Sequence, residues 1–178
     1  MSWETIKPMQ YQRVPGGITI WEYLLKNHGY SVPPARSGAL QGITLTFVPM
    51  YMFLYEKNRP TDITSRQIEH LDSCGLIPHY FITSDSIWQV LDLEACWQKQ
   101  DGGINDKTIA LALSVADCLV PTMYKAVPVH MAAMLSAYLL HKNKLTANDI
   151  RITKGAPEFF TSQWKEFKQK IRTQMKKL

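Results

Sequence analysis

The sequence predicts an α/β (α+β) domain in which a small, mostly mixed β-sheet packs between helices. Two short alternating segments, 79–83 and 87–91, flank a turn-type cluster at 84–86, and this pattern is typical of a β-hairpin. An almost continuous apolar run over 108–115 has strand length and suits a central strand that is covered on both faces. Helical patterns precede and follow these strands, which favours helices packed against the sheet.

An N-terminal arm with one short helix is expected over residues 1–41. Residues 1–17 are polar and contain prolines and glycines, so they are predicted to be irregular. The apolar spacing over 18–28 predicts an amphipathic helix, which Thr19 would cap and Gly29 would end.

Residues 42–178 are predicted to form a single globular unit, because neither repeats nor linkers interrupt them. The chain of 178 residues is long enough for one domain with a proper core. The other predicted elements are a strand at 42–50 that ends at Pro49, a helix at 61–73, a long helix at 122–143 and a short strand at 149–153. A final helix is predicted to follow, with Thr161 or Ser162 as its N-cap and with Trp164, Phe167 and Ile171 on its buried side.

The composition is that of an ordinary globular protein with a mildly basic surface. Hydrophobic residues make up 46% of the chain and charged residues 20%, and the net charge is +5. Much of the positive charge lies in the predicted final helix, where it is interpreted as a solvated face. Because aromatic and basic residues do not alternate, no nucleic-acid partner is expected.

Cysteine usage and the N-terminal sequence bear on redox state and location. Cys74, Cys96 and Cys118 are far apart and form no C-x-x-C pair, so they are predicted to be reduced packing residues. No apolar leader region and no apolar run of membrane-spanning length occur. A cytoplasmic protein without membrane association is therefore expected.

A series of short features follows a fixed order along the second unit. They are Ile43-Thr44-Leu45, His79-Tyr80, Asp85 with Ile87 and Gln89, Trp97, Asp101-Gly102, Asn105, Ile109, Lys125-Ala126, Leu139 with Leu145, Pro157, and Trp164 with Glu166-Phe167. Their order and spacing over residues 42–171 resemble the zinc-dependent N-acetylmuramoyl-L-alanine amidases of type 2, which include phage endolysins and peptidoglycan-recognition proteins. The resemblance implies the fold of that family.

The resemblance also implies a zinc site, and this chain departs from it at every ligand position. The family holds one Zn²⁺ with two histidines and a cysteine or aspartate, and it leaves the fourth position for the water that hydrolyses an amide. By the resemblance, Thr46 and Thr153 stand at the histidine positions and Ala156 at the cysteine position. The acidic residue that many phage members carry on the buried strand appears as Ala112.

These substitutions predict that the chain is not an enzyme and binds neither a metal nor a cofactor. Hydroxyl and methyl groups cannot hold Zn²⁺ in a tetrahedral site, because the ion requires imidazole, thiolate or carboxylate. The five histidines of the chain show no H-x-x-x-H or H-E-x-x-H spacing, and His79 is predicted to be a hydrogen-bonded structural imidazole. The cysteines and the loop carboxylates are likewise interpreted as structural or solvated groups.

The predicted function is that of a catalytically inactive amidase-like protein that is retained for binding. A muropeptide, a glycan or another small ligand would occupy the cleft where the family's active site lies, since aromatic and polar side chains suit such ligands. The candidate ligand-binding residues are Tyr80, Trp88, Trp97, Gln98, Asp101 and Lys154. The alternative for Trp88 and Trp97 is a place in the hydrophobic core.

Two other functions are compatible with the sequence. The chain could be a structural or interaction protein of a phage or mobile element, which binds a host or virion protein through the apolar segment 50–55. It could also be an active peptidoglycan amidase, an N-acetylmuramoyl-L-alanine amidase whose metal ligands the resemblance does not identify. Metal content distinguishes this last alternative from the other two.

Overall fold

The computed structural model of the protein describes residues 10–48, 75–82, 87–114 and 126–178. Several predicted features lie outside the described residues: the turn at 84–86, Pro49, the apolar segment 50–55, the helix at 61–73, Cys74 and Cys118. Among the described residues, no helix is both long enough and apolar enough to span a bilayer.

The described strands form one seven-stranded mixed sheet and one separate two-stranded ribbon. The order in the large sheet is β1-β2-β5-β4-β8-β3-β9, and the ribbon pairs β6 with β7. The strands are β1 Gln10–Val14, β2 Ile18–Glu22, β3 Gly42–Val48, β4 Tyr80–Ile82, β5 Ile87–Gln89, β6 Trp97–Gln98, β7 Ile104–Asn105, β8 Thr108–Ser114 and β9 Ile150–Ile152.

The central part of the sheet confirms the predicted hairpin and the predicted buried strand. Strands β4 and β5 pair antiparallel, whereas β8 lies between β4 and β3 and runs parallel to both. The apolar run of β8 follows from this position, because Leu111 packs into the core on one face of the sheet and Ala112 into the core on the other. The short strand predicted at 149–153 is confirmed as β9, which pairs parallel with β3.

Helices cover one face of the sheet. They are α1 Ala126–Lys142, the single turn α2 Glu158–Thr161, and α3 Trp164–Met175. Leu135 and Leu139 of α1 and Phe167 and Ile171 of α3 are buried in the same cluster as the sheet residues of that face. The long helix and the final helix are therefore confirmed over their described parts, and the fold is the predicted α/β class.

The capping prediction for the last helix is wrong. Gln163 is the residue before α3, and its side chain makes no capping hydrogen bond. The hydroxyl of Thr161 donates to the carbonyl of Glu158, and that of Ser162 donates to the carbonyl of Phe159. Both hydroxyls thus bind the turn of α2 that precedes them instead of the first turn of α3.

The opposite face of the sheet carries a second hydrophobic cluster. Leu25, Leu76 and Trp97 pack there against Phe81 of β4 and Ala112 of β8. Loop and ribbon segments thus cover this face in the described part of the chain, whereas the helices cover the other. Ile43, Leu45 and Phe47 of β3 belong to the helix-covered cluster and Val48 belongs to the second one, which agrees with the pleat of the strand.

The N-terminal prediction is corrected at two points. Residues 10–22 form the hairpin of β1 and β2 instead of an irregular segment followed by a helix, and β2 pairs parallel with β5 of the main sheet. Helical structure is limited to the 3₁₀ segment Leu25–His28. The predicted stop at Gly29 is confirmed, since its φ is 79° and its N–H donates to the carbonyl of Leu25.

We expect Gly42→Ala to destabilise the protein by about 2 kcal/mol, because an added Cβ would overlap the backbone carbonyl of Asp149 just before β9. The control is Gly38→Ala, where no heavy atom lies within 4 Å of the added Cβ. Urea unfolding of both variants measures the difference. Equal midpoints for the two variants would contradict the close approach of β3 to the segment before β9.

Candidate functional site

Thr46 and Thr153 occupy neighbouring positions at the carboxyl end of two paired strands. Leu45 of β3 pairs with Ile152 of β9, and the N–H of Thr153 donates to the carbonyl of Leu45 at 3.0 Å. The register therefore continues by one residue and sets Thr153 beside Thr46. Because side chains alternate along strands, both hydroxyls belong to the face opposite the helices. Thr46 is only 5% exposed.

The positions beside Thr46 on the sheet carry apolar groups. Thr46 pairs with Ala112 of β8, and Ala112 pairs in turn with Phe81 of β4. Ala112 is fully buried and Phe81 is 3% exposed. The environment beside the two hydroxyls is therefore uncharged along the sheet.

Ala156 lies in the turn that leaves β9. Its N–H donates to the carbonyl of Thr153 at 3.3 Å, and Gly155 supplies the left-handed conformation of the turn with φ of 83°. The Ala156 methyl packs against the cluster on the helix-covered face. It offers no donor atom to the space beside Thr46.

The structure separates three of the six candidate ligand-binding residues from this region. The indole N–H of Trp97 donates to the hydroxyl of Thr108 at 3.1 Å, at the first residue of β8. Thr46 pairs with Ala112, four residues further along β8, which corresponds to about 13 Å. Gln98 and Asp101 follow Trp97 in the ribbon and its loop, so all three lie near the opposite end of the strands.

The side chains of Gln98 and Asp101 both form hydrogen bonds with backbone groups of loop segments. The amide of Gln98 donates to the carbonyl of Gly75 at 2.8 Å. A carboxylate oxygen of Asp101 accepts the N–H of Gly103 at 2.8 Å, while the side chain itself is exposed. These contacts give both residues local structural roles.

Trp97 belongs to a buried polar network that the sequence analysis did not identify. The hydroxyl of Thr108 also lies 2.8 Å from that of Thr44 and 3.2 Å from Oδ1 of Asn105. Since Asn105 only accepts here, the network is complete when Thr44 donates to Thr108 and Thr108 donates to Asn105. Trp97 is 2% exposed, so its burial favours the core alternative for this residue. The only sequence signal was the Asn-x-x-Thr spacing at the start of β8.

Trp88 and Tyr80 are also buried, and on different faces of the sheet. Trp88 is 4% exposed and packs into the cluster that contains Trp97. Tyr80 packs into the helix-covered cluster, and its burial raises the pKa of the phenol. Lys154, which is exposed in the turn after β9, is the candidate that adjoins Thr153. The six candidates therefore do not form one cleft.

Solved structures with a similar fold identify the architecture. A mutant endolysin from Bacillus subtilis superposes with a TM-score of 0.65 at 18% identity, covering 86% of this chain and 99% of that one. Staphylococcus aureus hydrolase AmiA, solved in complex with its ligand, gives 0.58 at 12%, covering 88% and 82%. The N-acetylmuramoyl-L-alanine amidase LysC from Clostridium intestinale gives 0.51 at 17%, covering 86% and 97%.

The chain has the amidase fold. The fold that the sequence resemblance implied is thereby confirmed. No protein-family model and no curated protein sequence matches the chain. At these identities the likeness concerns the fold, so the chemistry of the site depends on the residues of this chain.

The residues that the resemblance assigns to the family's zinc positions do not fit the ion. Thr46 and Thr153 supply neutral hydroxyls and Ala156 supplies a methyl group, whereas Zn²⁺ in proteins takes nitrogen, thiolate or carboxylate ligands. Within the described ranges, no three side chains of His, Cys, Asp or Glu lie close enough together to hold a metal ion. No step of a reaction can be assigned to zinc with these side chains.

His79 has the structural role that the sequence predicted. Its backbone N–H donates to the carbonyl of Ala110, and its ring Nδ1 accepts the N–H of the same residue at 3.0 Å. The proton consequently belongs on Nε2, which lies 2.9 Å from the carbonyl of Ala95. The neutral ring thus joins β8 to the segment before β6, and it is completely buried.

Burial lowers the pKa of His79 to about 4; the hydrogen bond to Ala95 opposes this shift, and the nearby Arg36 guanidinium lowers the pKa further. The unfolded chain binds this proton near the ordinary pKa of about 6.5. Stability from the neutral ring is therefore complete above that pH and decreases as the pH falls towards 4.

We expect the free energy of unfolding to fall by about 2 kcal/mol between about pH 7.5 and pH 5 because of His79 alone. Urea unfolding across this range measures the slope. His79→Phe is expected to be less stable at neutral pH but to have a shallower slope, and His141→Gln, at an exposed site, should keep the slope of the unaltered protein. An unchanged slope in His79→Phe would contradict the assignment.

Proposed function

We propose that this chain is an amidase-fold protein that has lost zinc-dependent hydrolysis and is retained for binding a ligand in the former active-site cleft. The observation that carries the proposal is the pair of neighbouring threonines, Thr46 and Thr153, at the positions where the resemblance implies two histidines. The sheet register supports this correspondence, because it places the two residues together although they are far apart in sequence.

Loss of hydrolysis follows from the chemistry of these side chains. Amide hydrolysis by a zinc enzyme requires the ion to lower the pKa of its bound water and to polarise the carbonyl. A neutral threonine hydroxyl does neither, and the apolar neighbours Ala112 and Phe81 provide no general base. The active-amidase alternative would need ligands outside the described residues.

The same hydroxyls are suited to binding. Threonine donates one hydrogen bond and accepts others, so a neutral pair can satisfy sugar hydroxyls or peptide amides. Lys154 adjoins Thr153 in the exposed turn and can approach a carboxylate of a muropeptide. A muropeptide is therefore the ligand class that we propose, and a structural neighbour that is named as an N-acetylmuramoyl-L-alanine amidase supports this choice at the level of the fold.

The interaction-protein alternative depends on a segment outside the described residues. The apolar segment 50–55 is the feature that favours a protein partner, and no described surface replaces it in that role. The amidase fold itself favours a cell-wall ligand, because the amidases among the structural neighbours are named for a cell-wall amide. Muropeptide binding is therefore the first function to test.

Metal binding tests the loss of the zinc site. We expect the purified protein to contain no stoichiometric zinc and to give no visible absorption with Co²⁺, and Ala156→Cys alone should not change this result. Combining Thr46→His with Thr153→His should create Co²⁺ binding, because the two threonines are neighbours on one face. Adding Ala156→Cys should not strengthen that binding, because the Ala156 methyl packs on the helix-covered face. Stoichiometric zinc in the unaltered protein, together with turnover of a muramoyl amide, would establish the active-amidase alternative instead.

Titration with a soluble muropeptide tests the binding function. We expect Lys154→Ala to weaken binding by about tenfold, since it removes one charge-assisted contact. The matched control is Lys99→Ala, another exposed lysine that lies next to the ribbon, at the far end of the strands. Calorimetry gives the affinities of both variants. No binding by the unaltered protein, or equal losses in the two variants, would refute the proposal.

A further inference from the structure

Positive charge is concentrated at the C-terminal end of the chain. Residues 142–178 contain ten Lys and Arg and three Asp and Glu, whereas residues 1–141 contain ten and twelve. The net positive charge of the protein therefore arises in one structural region, made of the end of α1, β9, α2 and α3. Such segregation creates a field that attracts polyanions.

Most of the charges in this region are not neutralised within the protein. In the part of the chain that the structure describes, the ten basic side chains of residues 142–178 form no ion pair, although Arg151 is near enough to Asp149 to help lower the pKa of that carboxyl. Nine of the ten are exposed, and Lys168 is half-buried. A solvated helix face in a globular protein more often mixes both signs of charge.

Four of these side chains form a row along α3, which we call the basic row: Lys165, Lys168, Arg172 and Lys176. Their spacing of three or four residues places them on one side of the helix, next to the buried side that carries Phe167 and Ile171. At a rise of 1.5 Å per residue the row is about 16 Å long, with about 5 Å between consecutive charges. This is a linear array of cations.

Two contacts hold parts of the basic row in place. Arg172 donates to the side-chain oxygen of Asn148 at 3.2 Å, which joins the row to the 3₁₀ turn before β9. The Lys168 ammonium lies 5.9 Å from the centroid of the Trp164 ring. Because these side chains are already restricted, less conformational entropy is lost when a partner binds.

The surroundings of the row narrow the class of polyanion. The indole of Trp164 stacks on Phe167 and lies beneath Lys168, so it does not present a free ring on which nucleic-acid bases could stack. The large hydrophobic residues exposed in the described structure are Val32, Ile104 and Leu178, and none lies within α3. An apolar anchor for insertion into a bilayer is thus missing from this helix.

We infer that the basic row binds a linear polyol-phosphate polymer of the bacterial cell wall through its successive phosphates. The choice of this polymer rests on the proposed cell-wall function, because polyol-phosphate chains accompany muropeptides in many cell walls. The row belongs to the helix-covered face of the sheet, whereas Thr46 and Thr153 belong to the other face, so the two binding events use separate surfaces.

The test titrates the full chain with purified poly(glycerol phosphate) at about 50 mM and about 200 mM salt, and the logarithm of affinity should fall with a slope of about −3 for four phosphate contacts. Replacing all four residues of the row by Gln should weaken binding by about tenfold or more and flatten the slope. The matched control replaces Lys99, Lys107, Lys170 and Lys177 by Gln, which removes the same charge at exposed sites outside the row. This control should retain most of the affinity, and thermal melts confirm that both variants fold.

Several results would overturn the inference. Equal losses in the two quadruple variants would assign the binding to net charge instead of the row. Equally tight binding of a single-stranded oligonucleotide, or stronger binding of anionic phospholipid vesicles, would assign the row to another partner. Failure of the proposed function remains distinguishable, because Lys154→Ala should leave polymer binding unchanged, and the row variant should leave muropeptide binding unchanged.

Discussion

The parallel pairing of β3 with β8 on one side and with β9 on the other is the constraint on which the candidate site depends. Residues 46, 112 and 153 come from distant parts of the sequence, and the two registers place them side by side on one face. A register shift of one residue would turn these side chains into the helix-covered core. The buried side chains of β3 on both faces prevent such a shift, since Leu45 and Val48 each belong to a different cluster.

This end of the sheet is held together by contacts that need no metal. Bound metal contributes to the folding free energy of many metalloproteins, whereas the aromatic contacts at this end of the sheet are apolar. Here the Phe160 ring packs 5.0 Å from Phe47 of β3 and 5.1 Å from Phe167 of α3, and its residue is 3% exposed. Buried aromatic pairs of this kind contribute about 1 kcal/mol beyond the burial of their area.

Local pattern predicted those parts of the fold whose partners are close in sequence or whose environment is uniform. The hairpin of β4 and β5 and the buried strand β8 are of this kind, because alternation and continuous apolarity report directly on burial. The N-terminal hairpin was not predicted, since the apolar spacing around Ile20 and Trp21 suits a helix as well as a strand. What decides the outcome is the pairing of Ile20 with Ile87 of β5, a contact between distant segments.

For the candidate site, too, the properties of single side chains could be predicted from the sequence, whereas their positions relative to one another could not. The residue types at the positions that the resemblance assigns to zinc ligands could be read from the sequence, because the ability to bind Zn²⁺ is a property of the side chain itself. Whether a side chain lines a cleft depends on strand register and on how deeply the side chain is buried, and neither can be read from sequence order. Trp97 was expected in the cleft because it precedes the glycine loop, but it lies in a buried network with Thr108. His79 was correctly assigned because a lone histidine next to a buried strand most simply hydrogen-bonds to the backbone, as it does to Ala110.

The two faces of the sheet therefore offer different kinds of contact to a ligand. A bound zinc ion would place two positive charges beside Thr46 and Thr153, whereas neutral hydroxyls bind by directional, short-range hydrogen bonds that require close fit. Helix α3 offers long-range attraction that needs no fit and weakens with salt. Because the threonines and the basic side chains of α3 lie on different faces, a substitution on one face need not disturb the other. The proposed binding function therefore needs no metal, because threonine hydroxyls and the charges of α3 can supply both kinds of contact.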